Sequence, residues 1–125
     1  MDLNLKGKTA LITGASKGIG LATAYIMAAE GCHLHLAARN EAPMLAAKAE
    51  IEARYDVRVH VHPMDLSSTA VMEELALKAS ECDILVNNAG DIPAGSLAVV
   101  QDKAWREGFD LKVFGYITLA RAFYE

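Results

Sequence analysis

Eight residues, Thr13-Gly14-Ala15-Ser16-Lys17-Gly18-Ile19-Gly20, constrain this chain more than any others. They stand between an apolar run, Thr9-Ala10-Leu11-Ile12, and a helical pattern from Leu21 to Glu30. A strand, a glycine turn and a helix in that order make a phosphate-binding device. Glycine admits backbone conformations that a Cβ forbids and lets a ligand approach the main chain. The helix that begins there turns unpaired N–H groups and the positive end of its dipole toward the turn. Two common phosphate loops do not match. A P-loop needs Lys-Ser/Thr after its last glycine, and Leu21-Ala22 follows Gly20. The fingerprint G-x-G-x-x-G fails as well, because Gly18-Ile19-Gly20 is followed by Leu21, Ala22 and Thr23. The pattern present is T-G-x-x-x-G-x-G.

Apolar patterning extends the same alternation of strand and helix along the chain. Lys8 to Thr13 reads as a buried strand, and Gly18 to Glu30 as a helix with Ile19, Ala22, Thr23, Ile26 and Met27 facing inward. Gly31 stands where a helix C-cap would. Cys32 to Arg39 is a second strand, and Glu41 to Tyr55 a second helix with Pro43 in its first turn and Met44, Leu45, Ile51 and Tyr55 on its apolar side. Val57 to Pro63 alternates as a third strand. Ser67 or Ser68 caps a third helix carrying Val71, Met72, Leu75 and Ala79. Asp83 to Asn87 is a fourth strand, a loop runs from Ala89 to about Gly95, and the chain is helical from roughly Gln101. This order predicts one α/β domain over residues 1–125, a doubly wound parallel sheet of about four strands with flanking helices. The last helix is apolar on nearly every face, ends at Glu125 without a stop signal, and leaves Ile84-Leu85-Val86 as a sheet edge. These features predict a fold that continues beyond this chain, and self-association through the C-terminal helix.

Composition excludes several classes of function. At 53% apolar and 22% charged residues the chain is not disordered. A net charge of −4 with no basic run argues against a nucleic-acid partner. No apolar stretch is long enough to span a membrane, and residues 1–6 do not read as a signal peptide. Cys32 and Cys82 form no CxxC pair and read as small buried residues in a reducing cytoplasm.

Ligands of open α/β sheets lie outside the carboxyl ends of the strands. At the first of these ends Ser16, Lys17 and Ile19 offer side chains or N–H groups to a phosphate. After the second strand come Ala38 and Arg39, where an acidic residue would favour NAD through its ribose hydroxyls. Arg39 grips a phosphate bidentately and Lys17 adds a point charge, so the pair favours NADP over NAD. Glu41 is an acidic competitor, better placed to start the next helix. Asp65-Leu66 follows the third strand, with Asp65 read equally as a crevice residue or as part of the turn before Ser67. Asn87-Asn88-Ala89-Gly90 follows the fourth.

Together, T-G-A-S-K-G-I-G, Arg39, Asp65-Leu66 and N-N-A-G resemble, in order, the classical short-chain dehydrogenase/reductase family. The resemblance covers essentially the whole chain but only the N-terminal half of that family's catalytic domain. It implies a Rossmann-type fold and an NADP-dependent oxidoreductase passing hydride between nicotinamide and a carbonyl or alcohol. By the same resemblance Gly14 to Gly20 hold the pyrophosphate, Asp65 and Leu66 meet the adenine, and Asn88, Ala89 and Gly90 line the ribose side and support the central strands. The family's Tyr-x-x-x-Lys pair is absent: Tyr25, Tyr55 and Tyr116 are followed four residues on by Ala29, Val59 and Ala120. Trp105 to Lys112 resembles the pre-catalytic helix, with Lys112 in the place of the catalytic Asn, either as a proton-relay group or as a solvated helix residue. The 125 residues alone are therefore expected to be inactive. The alternative is a non-catalytic nucleotide-binding module that acts through self-association. The substrate class, whether steroid, sugar or acyl, is not legible.

His33-Leu34-His35 and His60-Val61-His62 place two imidazoles on one face of each of two neighbouring strands, a set that could ligate zinc or nickel. Helices normally cover such a face and no carboxylate is evident beside it, so no metal is expected.

Overall fold

The computed structural model describes residues 1–124. Four strands, β1 (Thr9–Thr13), β2 (His33–Ala38), β3 (Val59–Pro63) and β4 (Ile84–Val86), form one parallel sheet in the order β3-β2-β1-β4. Between them run α1 (Gly18–Ala29), α2 (Glu41–Arg54) and α3 (Thr69–Lys78). After β4 come α4 (Asp102–Phe109), a π-helical turn (Asp110–Phe114) and α5 (Gly115–Tyr124). The helix end expected at Glu125 lies outside the described residues.

Helices cover both faces, which is why β1 reads as a continuous apolar run rather than an alternating one. Ala10, Ile12, Leu34, Leu36 and Val59 pack beneath α1 and α2, against Ala24, Ala28, Met44, Ala47 and Ile51. Leu11 and Ala37 face the other way, onto Met72, Leu75 and Ala79 of α3 and its end and onto Leu119 of α5. Burying a side chain such as Leu11 or Ile12 contributes about 1.5–3 kcal/mol, so neither layer is dispensable. Among the described residues Ile84-Leu85-Val86 does form a sheet edge, paired to β1 alone and half-buried.

The inward face of α1 differs from the expected stripe. Gly20, Ala24 and Ala28 are buried, whereas Ile19 is 78% and Ile26 65% exposed. Small residues win because the helix must lie close to the sheet where it leaves the glycine turn. A Cβ at Gly20 would collide with the Gly14 carbonyl oxygen. Leu45 likewise points outward, and Ala47 takes its place on the inner side of α2. Gly31 has a φ of +86°, and its N–H and that of Cys32 donate to Ala28 and Met27, the paired bonds that close a helix on a glycine.

The single C-terminal helix expected from the sequence is interrupted by the π-helical turn. Gly115 follows it, and a Cβ there would stand 2.5 Å from Cε of Met72, so the glycine lets α5 settle on α3. Phe109, Val113, Phe114 and Ile117 remain exposed. No described helix is long and apolar enough to cross a membrane.

Candidate functional site

The glycine turn owes its shape to a buried hydroxyl. Thr13 ends β1 fully buried, and its Oγ1 accepts the N–H groups of Asn88 and Ala89, each at 3.0 Å, while donating to the Val86 carbonyl at 3.4 Å. Asn88 returns the contact: its Nδ2 donates to the carbonyls of Thr13 at 3.2 Å and Gly14 at 3.3 Å. The segment after β4 is thereby strapped to the turn after β1. Gly14 and Gly18 have φ values of +65° and +58°, in the left-handed region where a side chain is strained. A Cβ at Gly14 would also press on Asn88 Nδ2 at 2.8 Å, whereas one at Gly18 would meet nothing within 4 Å. Gly18 thus presents bare backbone to open space.

That space is a crevice of about 830 Å³ across the carboxyl ends of the strands. Gly14, Ser16, Lys17, Gly18, Ile19, Arg39, Asp65, Leu66, Asn88, Ala89 and Gly90 all line it. Gly20 sits behind the turn and does not. Lys112 is not part of the lining either. Its Nζ lies against the back of Gly90, 3.4 Å from where a Cβ would be, and 5.6 Å over the Tyr116 ring.

Lys17 precedes α1 and no side chain caps the helix. The starts of α2, α3 and α4 lack side-chain caps too, so the missing cap alone says little. What sets α1 apart is the glycine path that leads a ligand to its free N–H groups. Arg39 leaves the end of β2 with its side chain 72% exposed, and Nη2 stands 3.8 Å from a carboxylate oxygen of Asp91. Glu41 begins α2 and is not among the lining residues. Asp65 plays both parts foreseen for it. It lines the crevice, and its carboxylate accepts the Ser67 N–H at 3.1 Å, which with the Ser67 hydroxyl holds its pKa below the usual value; the Arg39 charge adds to this.

Asp91, Pro93 and Leu111 also line the crevice and escape sequence reasoning, because irregular loops and a π turn carry no periodic signal. Asn87, which heads the Asn87-Asn88-Ala89-Gly90 motif, has its Oδ1 buried without a partner among the described residues.

The histidines do not converge as one four-nitrogen face. His33 Nδ1 accepts the Arg58 N–H at 3.0 Å. His35 is 3% exposed and stacks on His60 and His62, with ring centroids 4.6 and 5.1 Å away. Its Nδ1 is 2.8 Å from His62 Nε2, and its Nε2 is 2.6 Å from Oε1 of Glu81. A carboxylate therefore does stand beside the imidazoles, brought there by the turn after α3. Burial, and then the neighbouring imidazoles, lower the pKa of His62 to about 4. Burial likewise lowers that of His35 against the pull of Glu81. Burial pushes the Cys82 thiol up to about 12, helped by Glu81 and Asp83.

Comparison with known proteins agrees with this geometry. The family model described as short chain dehydrogenase matches residues 8–125. An oxidoreductase of Bacillus subtilis is 32% identical over 124 residues, covering 98% of this chain and 47% of the relative. L-sorbose reductase of Gluconobacter frateurii, solved with NADPH and L-sorbose, superposes with a TM-score of 0.90 at 33% identity, over 98% of this chain and 48% of that one. A short chain dehydrogenase of Burkholderia cenocepacia in complex with NADP gives 0.89 at 32% identity, over 96% and 51%. The chain spans about half the length of these relatives.

Proposed function

The chain belongs to the short chain dehydrogenase family, an oxidoreductase family, and on that footing we propose that its crevice holds NADP and forms the cofactor-binding part of a carbonyl or alcohol oxidoreductase. The observation that carries the cofactor choice is the meeting of Lys17 and Arg39 on one crevice, with no carboxylate at the end of β2. Two charged donors suit a 2′-phosphate, and an acidic strand end would suit bare ribose hydroxyls instead. Relatives solved with NADPH or NADP support the same choice.

The residues fit such a group. The crevice is within the size range of ligand pockets, roughly 300–1,000 Å³. Gly18 offers backbone where a Cβ would intrude on the ligand's space, and α1 directs its N–H groups and dipole at a pyrophosphate. Lys17 and Arg39 take the adenosine phosphate, Asp65 and Leu66 border the adenine, and Ala89 and Gly90 border the ribose. Asn88 acts through the backbone, by fixing the turn that the pyrophosphate meets. When bound, the nicotinamide supplies or accepts hydride.

Lys112 Nζ lies against Gly90 and does not line the crevice. In this reading it serves proton relay to the substrate oxygen. No Tyr-x-x-x-Lys pair occurs within these residues, so the donor that protonates the substrate directly is not among them. Both cysteines are free, which suits a reducing cytoplasm. The exposed apolar side chains Phe109, Val113, Phe114 and Ile117 form the face through which two copies associate. A strictly monomeric species in sedimentation across micromolar concentrations would refute that last assignment.

The test is NADPH oxidation against a panel of ketones, sugars and acyl carbonyls. The 125 residues bind NADPH and turn over none of the panel. Turnover by a preparation whose intact mass matches these residues alone would overturn the division between binding and chemistry.

A further inference from the structure

On the α3 side of the sheet three metal-ligating groups meet that do not line the nucleotide crevice. His35 Nε2, a Glu81 carboxylate oxygen and Cys82 Sγ lie within 4.8 Å of one another. We propose that they bind one zinc-class divalent cation, which clasps β2 to the turn between α3 and β4.

The donor set is of the right kind. Zinc takes thiolate, imidazole and carboxylate together, with a water or a fourth ligand completing a tetrahedron. Its bond lengths place neighbouring ligand atoms about 3.3–3.8 Å apart. The Nε2–Oε1 pair at 2.6 Å must open slightly and the sulfur must draw in, movements of about 1 Å. Glu81 has the freedom for this, since its side chain is 59% exposed. Cys82 lines a second cavity of about 450 Å³, with Leu77 on α3 and Phe123 on α5, which gives an ion a route to the sulfur.

The surroundings of His35 resemble a tuned ligand more than a plain core histidine. A metal-bound imidazole donates its other N–H to an acceptor, which fixes the ring and its tautomer. His62 Nε2 stands 2.8 Å from His35 Nδ1 and fills that role, and the two rings lie nearly parallel, 8° apart, which holds both in place. Lys78, the cation on the same end of α3, is paired with Glu74 at 2.9 Å and so does not occupy Glu81.

Protons balance simply. The His62 Nε2 proton crosses the hydrogen bond to His35 Nδ1, His35 Nε2 gives its proton to solvent and His62 takes one up at Nδ1, so the pair stays neutral and Nε2 is bare for the metal. The thiol proton of Cys82 leaves to solvent, so each bound ion releases one proton near neutral pH.

The probe is Co²⁺, followed by Zn²⁺, titrated into metal-free protein. The expected result is one Co²⁺ per chain, a thiolate-to-cobalt charge-transfer band, release of about one proton per ion, and displacement of the spectrum by Zn²⁺. Cys82→Ser removes the band, and His35→Gln and Glu81→Gln each weaken binding at least tenfold. His62→Gln weakens it about 10- to 100-fold while keeping the band, as a residue that positions a ligand should. His33→Gln changes neither. Circular dichroism of each variant separates lost ligands from lost fold, and Cys82→Ser serves as the least disruptive of the set. Absence of a charge-transfer band in folded wild-type protein would overturn the proposal. So would cobalt binding that survives Cys82→Ser and His35→Gln unchanged.

Discussion

Replacing Gly20 by alanine presses a methyl group into the Gly14 carbonyl oxygen, with Asn88 Nδ2 only 2.6 Å away. Helix propensity alone would favour the change, since alanine in a helix is better than glycine by about 1 kcal/mol. Packing acts the other way. Forcing a methyl into a filled site costs about 1–3 kcal/mol. The displaced Asn88 amide also loses its bonds to Thr13 and Gly14, worth about 1 kcal/mol each. The net is a destabilisation of about 2–4 kcal/mol, opposite in sign to the propensity effect. Urea unfolding of wild-type and Gly20→Ala protein at 25 °C measures it directly, with an unchanged denaturant slope confirming that the unfolded states match. The same samples in calorimetry should show NADP affinity lowered at least tenfold, because the turn that carries the phosphate has moved. A variant as stable as wild type, with intact nucleotide affinity, would show that α1 does not depend on close approach at Gly20.

Thr13→Val removes the hydroxyl that accepts the Asn88 and Ala89 N–H groups, and should cost about 2–4 kcal/mol in unfolding free energy, with Thr13→Ser recovering most of it. Full recovery by valine instead of serine would refute the strap. Acid sensitivity should centre on His62, which faces His35, His60, Lys78 and Glu81. Its pKa is near 4 in the fold and 6.5 when free, so between these values the unfolded chain binds more protons and stability falls as pH falls. A complete drop from 6.5 to about 4 sets an upper bound of about 3 kcal/mol, which solvent screening of this half-buried ring lowers. With chelator present, His62→Gln should flatten the stability profile between pH 6.5 and 4; an unchanged slope would place the acid sensitivity elsewhere. Lys112→Asn should leave NADP affinity unchanged and alter only turnover of the full-length enzyme, whereas a large loss of nucleotide affinity would place Lys112 in the binding site.

Much of this was legible in the residues because the strands are short apolar runs at even spacing. The strands Thr9–Thr13, His33–Ala38 and Ile84–Val86 each lie within a residue of the expected Lys8 to Thr13, Cys32 to Arg39 and Asp83 to Asn87. The glycine turn and the lining by Arg39, Asp65 and Gly90 follow from the same logic, since strand ends in a parallel sheet share one edge. Facing on α1 was not legible. Its sequence is apolar or small nearly all round, so periodicity does not choose a side, and only the clash at Gly20 reveals that alanines win over isoleucines. The interruption at Asp110–Phe114 was hidden for a similar reason, because a π turn keeps helical composition while shifting the side-chain register. Glu81 and Asp91 were invisible because both come from turns that are brought to their partners by the whole fold.

The choice of cofactor rests on two cations and is open to one direct measurement. Calorimetric titration with NADP and NAD, on wild type and on Arg39→Gln, compares the two at equal ionic strength. Hydrogen bonds to a charged group contribute about 1.5–3 kcal/mol, so NADP should bind about 10- to 100-fold tighter than NAD. Arg39→Gln should erase most of that difference while leaving NAD affinity alone. NAD binding as tightly as NADP in the wild-type protein would contradict the reading of Lys17 and Arg39 as a phosphate grip.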